Sequence, residues 1–157
     1  MIVSFDIGET NFAYVIGTKD ELFEMHHINI KCKKTQTVLE SCNKITDILD
    51  SINFSSCTKV IIEQQLCKNS RALRIAQHLW TYVQLKYPNL RPEFVSSSIK
   101  TDRGLTYKQR KLCAIENVRS ILKQRGDEKH LNYMSSLVKQ DDVADAYIQL
   151  MKYHDRL

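Results

Sequence analysis

The chain has 157 residues, 43% hydrophobic and 26% charged, with a net charge of +5 from 23 Lys+Arg and 18 Asp+Glu. That length supports one ordinary domain with a substantial core and excludes two large lobes, and the charge is too mild for a histone-like polycation. No segment approaches the apolar length of a membrane span, and no basic stretch precedes the apolar run at the N-terminus, which reads as a core strand and not a secretory signal.

Residues 1–7 form an apolar first strand that belongs at the centre of a sheet. A tight turn over Gly8–Asn11 leads to a second strand, Phe12–Gly17, and Leu22–Ile30 is a third, giving an antiparallel meander. Thr37–Ile52 is a helix with Val38, Ile45, Ile48, Leu49 and Ile52 at helical spacing. "KVIIE", Lys59–Glu63, is a short β-branched run expected to lie buried and parallel to the first strand. A long helix over about Ser70–Lys86 carries Leu73, Ala76, Leu79, Trp80 and Val83 on one side. Pro88 and Pro92 bracket a loop, and Glu93–Ser98 is a fifth strand. Lys108–Gln124 is a helix with Leu112, Ile115, Val118, Ile121 and Leu122 inward, and a last helix runs from near Asp142 to near His154. The order βββαβαβ followed by two helices, with three antiparallel strands and then parallel ones, is the ribonuclease H-like α/β topology: a five-stranded mixed sheet flanked by helices in a single domain over 1–157.

The five cysteines, Cys32, Cys42, Cys57, Cys67 and Cys113, include no CxxC pair. A zinc site is therefore not indicated, and reduced intracellular thiols that mostly fill the core are.

Two strands expected side by side end in carboxylates, "VSFD" at Asp6 and "KVIIE" at Glu63. Parallel neighbours would bring both to the C-terminal edge of the sheet, where open α/β sheets place their sites. In "KQDDVADAY", Asp142 and Asp145 are three apart and share a helix face, among small residues that allow close approach to the sheet. Asp141 or Asp142 could equally serve as a helix cap. Four converging carboxylates need divalent cations to offset their repulsion. Mg²⁺ favours such hard oxygen ligands, and two ions roughly 3.5–4 Å apart can clamp the attacking and leaving oxygens of a phosphodiester displacement. Asp6 would then be the central acid, and Gly8 would let a substrate backbone approach. The basic residues Arg103, Lys108, Arg110, Lys111, Arg119, Lys123 and Arg125 crowd one region, which suits a polyanion or a solvated helix face.

Taken together, "SFDIGETNFAY", "VIIEQQ" near "KNSRALRIAQHLWTYV", "YKQRK" and "DDVADAY" resemble the RuvC-like Holliday junction resolvases of poxviruses and other large DNA viruses, over nearly the whole chain and in the same order. The resemblance implies Mg²⁺- or Mn²⁺-dependent cleavage of four-way DNA junctions by a homodimer, with two metal ions per site held by Asp6, Glu63, Asp142 and Asp145. Asp141 is then a neighbour and not a ligand. It implies DNA contacts from Lys100, Lys108, Arg110, Lys111 and Asn69. It also places the dimer interface on the Ser70–Lys86 helix, through Arg71, Arg74, Ile75, His78, Trp80 and Tyr82, with Leu79 and Val83 facing the core and Ile75 and Tyr82 facing the partner. The location implied is inside the infected cell, where viral DNA replicates. The loop Thr101–Thr106 lacks character, so no cleavage motif follows. His26, His27 and His130 receive no role.

Three other readings use the same residues. An actin-like or sugar-kinase ATPase would share the "DIGETN" hairpin but needs two lobes and a second Gly-rich loop; the chain has four glycines and no close pair. A non-catalytic DNA-binding module of the same fold would not need four acids. A nuclease for RNA–DNA hybrids would share the acids and lack the dimer helix.

Overall fold

A computed structural model describes residues 1–31, 33–96 and 104–156. Strands β1 (Ile2–Ile7), β2 (Asn11–Gly17), β3 (Leu22–Asn29), β4 (Lys59–Glu63) and β5 (Glu93–Val95) form one sheet in the order β3-β2-β1-β4-β5. β1 pairs antiparallel with β2 and parallel with β4, and β5 continues the parallel half beside β4. The expected meander and parallel crossovers are thus both present, in the ribonuclease H-like arrangement. Ser97 and Ser98, expected to extend β5, lie outside the described residues.

Alternation along the strands divides the core into two layers. Val3, Phe5 and Ile7 of β1 join Phe12, Tyr14, Val60 and Ile62 on one face, covered by α1 (Val38–Ser51) and α2 (Ser70–Lys86). Ile2, Ala13, Val15, Met25, Ile61 and Val95 face the other way, under α3 (Tyr107–Gln124), α4 (Glu128–Ser136) and α5 (Asp141–His154). Among the described residues three helices therefore follow β5, one more than the sequence pattern suggests. Gly126 at φ 67° and the Asp127 cap make the break between α3 and α4, a backbone turn that suits glycine.

Helix ends are chemically marked. Thr37 caps α1 and Glu40 returns the bond in a reciprocal box, worth about 1 kcal/mol on replacement by alanine. Thr106 and Gln109 do the same for α3. α5 differs: Gln140 occupies its cap position, with no side-chain cap bond, and Asp141 and Asp142 lie in the first turn. Neither aspartate is the cap.

The inward faces depart from expectation in two helices. α2 buries Ala72, Ile75, Ala76, Leu79 and Val83, while Leu73 and Trp80 are only partly covered. α3 buries Ala114, Val118 and Leu122; Leu112 is half-exposed and does not point inward. Among the thiols, Cys42 and Cys57 are buried, but Cys67 is exposed and Cys113 intermediate; Cys32 lies outside the described residues.

α5 is the element that brings a helix against the middle of the sheet. Ala144 and Ala146 are fully buried, and their small side chains permit the approach. Ser4 Oγ donates to the Ala146 carbonyl at 2.8 Å, and the buried Gln149 amide donates to Ser4 Oγ and the Phe5 carbonyl. These bonds fix the height and rotation of α5 over β1, and so the position of its first turn beside Asp6.

Candidate active site

β1 and β4 pair in the register Ser4↔Ile61 and Phe5↔Ile62. Asp6 and Glu63 come one residue later, side by side at the C-terminal ends of parallel strands. Asp6 shares the alternation of Ile2 and Ser4, and Glu63 that of Ile61, so both belong to the α5 face. Asp142 and Asp145 project from the first two turns of α5. A cleft of about 560 Å³ is lined by Asp6, Glu63, Asp142 and Asp145, together with Leu66, Lys68, Tyr107, Arg110, Lys111 and Ala114. The structure thus brings all four acids to one cleft.

The carboxylates share the cleft without closing on a point: among the described residues, no three Asp, Glu, His or Cys side chains form a ready-made cation cage. Their chemistry nonetheless fits a hard divalent ion, since every candidate ligand atom is a carboxylate oxygen. Electrostatics at Asp142 point the same way. Burial raises its pKa first, and the negative charges of Asp141 and Asp6 raise it further, against the pull of a hydrogen bond from His27. A cation placed among these acids would relieve that stress.

Asp141 is occupied differently. It forms an ion pair with Lys111, whose ammonium also lies 5.0 Å from the Tyr107 ring centre. Burial alone would lower the lysine pKa, but the bonds to Asp141 and the Tyr107 hydroxyl overcome it and hold Lys111 above its usual range. Arg110 lines the cleft beside it and Lys108 is exposed two residues before Arg110. Asn69 caps α2 through its side-chain oxygen, which accepts from the Ala72 N–H. Lys100 and Arg103 lie outside the described residues. Two members of the basic cluster serve the fold instead: Arg119 donates to Gln140 at 2.8 Å, and Arg125 to Tyr147 and the Lys19 carbonyl, both at 2.7 Å. Gly8 has a local reason as well. A Cβ there would sit 3.1 Å from the Asn11 carbonyl oxygen, a tight approach that favours the small residue within the hairpin itself.

On α2 the candidate interface residues scatter. Ile75 is fully buried in the core and cannot face a partner. Arg71 binds the Gln36 and Thr37 carbonyls and Ser41, His78 pairs with Thr46, and Tyr82 bonds Asp50, all toward α1. Trp80 donates to the Pro92 carbonyl at 3.0 Å. Arg74 is exposed, and the outward face it shares with Gln77 and Thr81 continues into a shallow depression bounded by Trp80 and Phe94.

The residue missed in the sequence is His27. Its Nε2 lies 3.0 Å from Asp142 Oδ2. The signal was available in strand register, since Asp6 pairs with Ala13 and Ala13 with His27, placing the acid and the imidazole in one row across the sheet.

A ribonuclease H-like sheet with acids at the ends of its two central parallel strands and on the helix that crosses them defines the class of this protein. The chain belongs to the poxvirus A22 protein family, whose profile matches residues 1–156. It is 24% identical to uncharacterised protein 97L of invertebrate iridescent virus 3, over 98% of both chains. It is also 24% identical to protein 170L of invertebrate iridescent virus 6, over 97% of this chain and 87% of the relative. In three dimensions it is similar to the fowlpox virus resolvase solved with its substrate Holliday junction DNA, with a TM-score of 0.66, 18% identity and complete coverage of both chains. It is likewise similar to RuvC of T. thermophilus solved with a Holliday junction substrate, with a TM-score of 0.65, 13% identity and coverage of 99% and 94%. These likenesses establish the fold.

Proposed function

We propose that the protein is a viral Holliday junction resolvase: a metal-dependent endodeoxyribonuclease that cuts four-way DNA junctions by paired, symmetric nicks. The observation that carries this reading is the single cleft in which Asp6, Glu63, Asp142 and Asp145 meet at the C-terminal edge of β1 and β4. Membership of the poxvirus A22 family and the fold shared with two junction-bound resolvases support the substrate.

The four carboxylates would hold Mg²⁺ or Mn²⁺, two ions per site, whose chemistry is to activate water and steady the departing 3′ oxygen. Asp6, at the end of the central strand and beside Glu63, would be the ligand shared by both. Arg110 and Lys111 lie at the same cleft and meet the phosphates of the strand to be cut, with Lys108, Lys100 and Asn69 extending the contact. Phosphate contacts set position and affinity, and branch shape sets selectivity. The chain acts as one nuclease domain and as a homodimer through the exposed face of α2. Among the described residues no helix is long and apolar enough to cross a membrane. The site of action is the infected cell, where viral DNA replicates, with the host cytoplasm favoured.

The test is incubation with Mg²⁺ and a mobile four-way junction, beside linear duplex and RNA–DNA hybrid of matched sequence. Selective junction cutting is expected. Preferential hybrid cutting would assign the same site to a ribonuclease H-type activity.

A further inference from the structure

We propose that His27 is a positioning residue for Asp142: it holds one carboxylate oxygen so that the other is presented to a cation shared with Asp6. This inference rests on the metal-dependent reading above and deepens it.

The geometry begins in the sheet. Asp6, Ala13 and His27 are register partners across β1, β2 and β3. Ala13 between them is fully buried and adds only a methyl group to that face. The imidazole of the edge strand therefore lies near the first turn of α5 with no bulky side chain from β2 in between. Its Nε2 stands 3.0 Å from Asp142 Oδ2, and both side chains are largely covered, at 15% and 17% exposure. In the Nε2–H form the ring donates to the ionised carboxylate.

The strand that carries His27 is itself fixed. β3 is an edge strand, and the His27 backbone N–H donates to the Tyr133 hydroxyl on α4 at 2.9 Å. The preceding residue, His26, turns to the other face and stacks on Tyr14 with ring centres 4.7 Å apart. Backbone and neighbour both limit where the His27 ring can go.

Asp142 needs such a restraint. Asp141 and Asp6 both repel its charge, and a short side chain at the start of a helix can rotate away from them. A bond to Oδ2 opposes that rotation and leaves Oδ1 as the ligand oxygen. An imidazole N–H can do this from a rigid ring held by the edge strand, where a lysine would bring a flexible stem and a permanent charge. Hydrogen-bonded partners of metal-binding carboxylates characteristically set ligand orientation, and their loss typically weakens metal affinity about 10–100-fold.

The experiment measures Mn²⁺ binding to the free protein by electron paramagnetic resonance of unbound Mn²⁺, without DNA, alongside thermal melting. His27→Leu is expected to weaken Mn²⁺ binding roughly 10–100-fold, and His27→Gln, which keeps a donor at the Nε2 position, to stay within about threefold of wild type. In an Asp142→Asn background, His27→Leu should add less than about a twofold change, because the two residues act as a unit. Wild-type Mn²⁺ affinity in His27→Leu would overturn the proposal. So would equal weakening in the Leu and Gln variants with a matching fall in Tm, which marks a purely structural role. If His27→Leu does not fold, the Gln variant decides: tenfold weaker binding at an unchanged Tm overturns the proposal. If Asp142→Asn itself binds Mn²⁺ like wild type, the acid-site reading fails and this inference with it. If Asp142→Asn loses Mn²⁺ and His27→Leu does not, only the inference fails.

Discussion

Lys111 on α3 is ion-paired with Asp141 on α5, so a basic residue of the cleft is bound to the acid adjoining Asp142. The pair joins the fifth residue of one helix to the first residue of the other. It gives Asp141 a counter-charge of its own, while the Asp141 carboxylate still raises the pKa of Asp142.

Lys111 and Arg110 should therefore behave differently when removed. Arg110→Ala should lower the log–log salt slope of junction binding by about 0.9 for one lost phosphate contact and leave stability unchanged. Lys111→Ala should weaken binding and also cost about 1–2 kcal/mol, between the values for exposed and buried pairs, because Asp141 is only 14% exposed. Salt titrations and thermal melts on both variants check this; an identical thermal profile for the two would contradict the structural role of the pair.

Asp6→Asn, Glu63→Gln, Asp142→Asn and Asp145→Asn should each reduce junction cleavage by about 100-fold or more, equivalent to roughly 3 kcal/mol of barrier. Junction affinity should change little, because basic residues supply it. Single-turnover cleavage and gel-shift titrations make the comparison. A variant that cuts at near wild-type rate removes its residue from the site.

Without metal, Asp142 should work against stability. Its pKa is raised above the ordinary value of 3.8, first by burial and then by Asp141 and Asp6. An acid with a raised folded pKa is neutral in both states at low pH and contributes nothing there. As pH rises through the unfolded value the unfolded chain ionises first, and the folded state loses stability until its own pKa is passed. In EDTA, Asp142→Asn should therefore melt above wild type at pH 7, and the gap should vanish toward pH 3. Melts across that range decide it. A variant that is less stable at neutral pH would show that the His27 bond outweighs the repulsion.

The layers of this fold are readable from periodicity because they obey the two simple rules, alternation in strands and 3.6-residue spacing in helices. Asp6 and Glu63 were visible as polar residues where apolar runs end. The rotation of α2 was harder. Ala76, Leu79 and Val83 belong to the buried stripe in either reading, and apolar residues flank it on both sides, Ile75 on one and Leu73 and Trp80 on the other. Only tertiary contact chooses, and it buries Ile75. α4 was obscured by its nine-residue length and sparse apolar content, although the Gly126–Asp127 stop-and-start signal was present. The partnership of His27 and Asp142 spans 115 residues of sequence and needed the register of three strands.

The exposed face of α2 should carry the dimer. Gln77→Glu combined with Thr81→Glu places like charges opposite their own copies across a two-fold axis, where the same patch meets itself. Light scattering at micromolar concentration should report a dimer for wild type and a monomer for this variant, with Tm nearly unchanged for surface substitutions. Ile75→Ala should instead cost about 2–5 kcal/mol through a core cavity. A monomeric wild type would move the interface elsewhere or remove it.

Cleavage should yield paired nicks on opposing strands, with ends that ligase can seal. Each cleft holds one set of four acids and makes one cut. A two-fold dimer presents two such clefts, and a four-way junction is itself close to two-fold symmetric, so equivalent strands reach both. With water attacking phosphorus and the 3′ oxygen leaving, each break would carry a 5′-phosphate on the downstream fragment and a 3′-hydroxyl on the upstream one. Two nicked duplexes with matching ends are the product. End-labelled junctions carrying one label per strand reveal whether cuts fall at symmetric positions, and treatment with ligase reveals the end chemistry. Heterodimers of wild type with Asp6→Asn should nick one strand and leave the junction unresolved. Unsealable ends, or equal cutting of junction and linear duplex, would refute the resolvase reading even if the four acids bind metal.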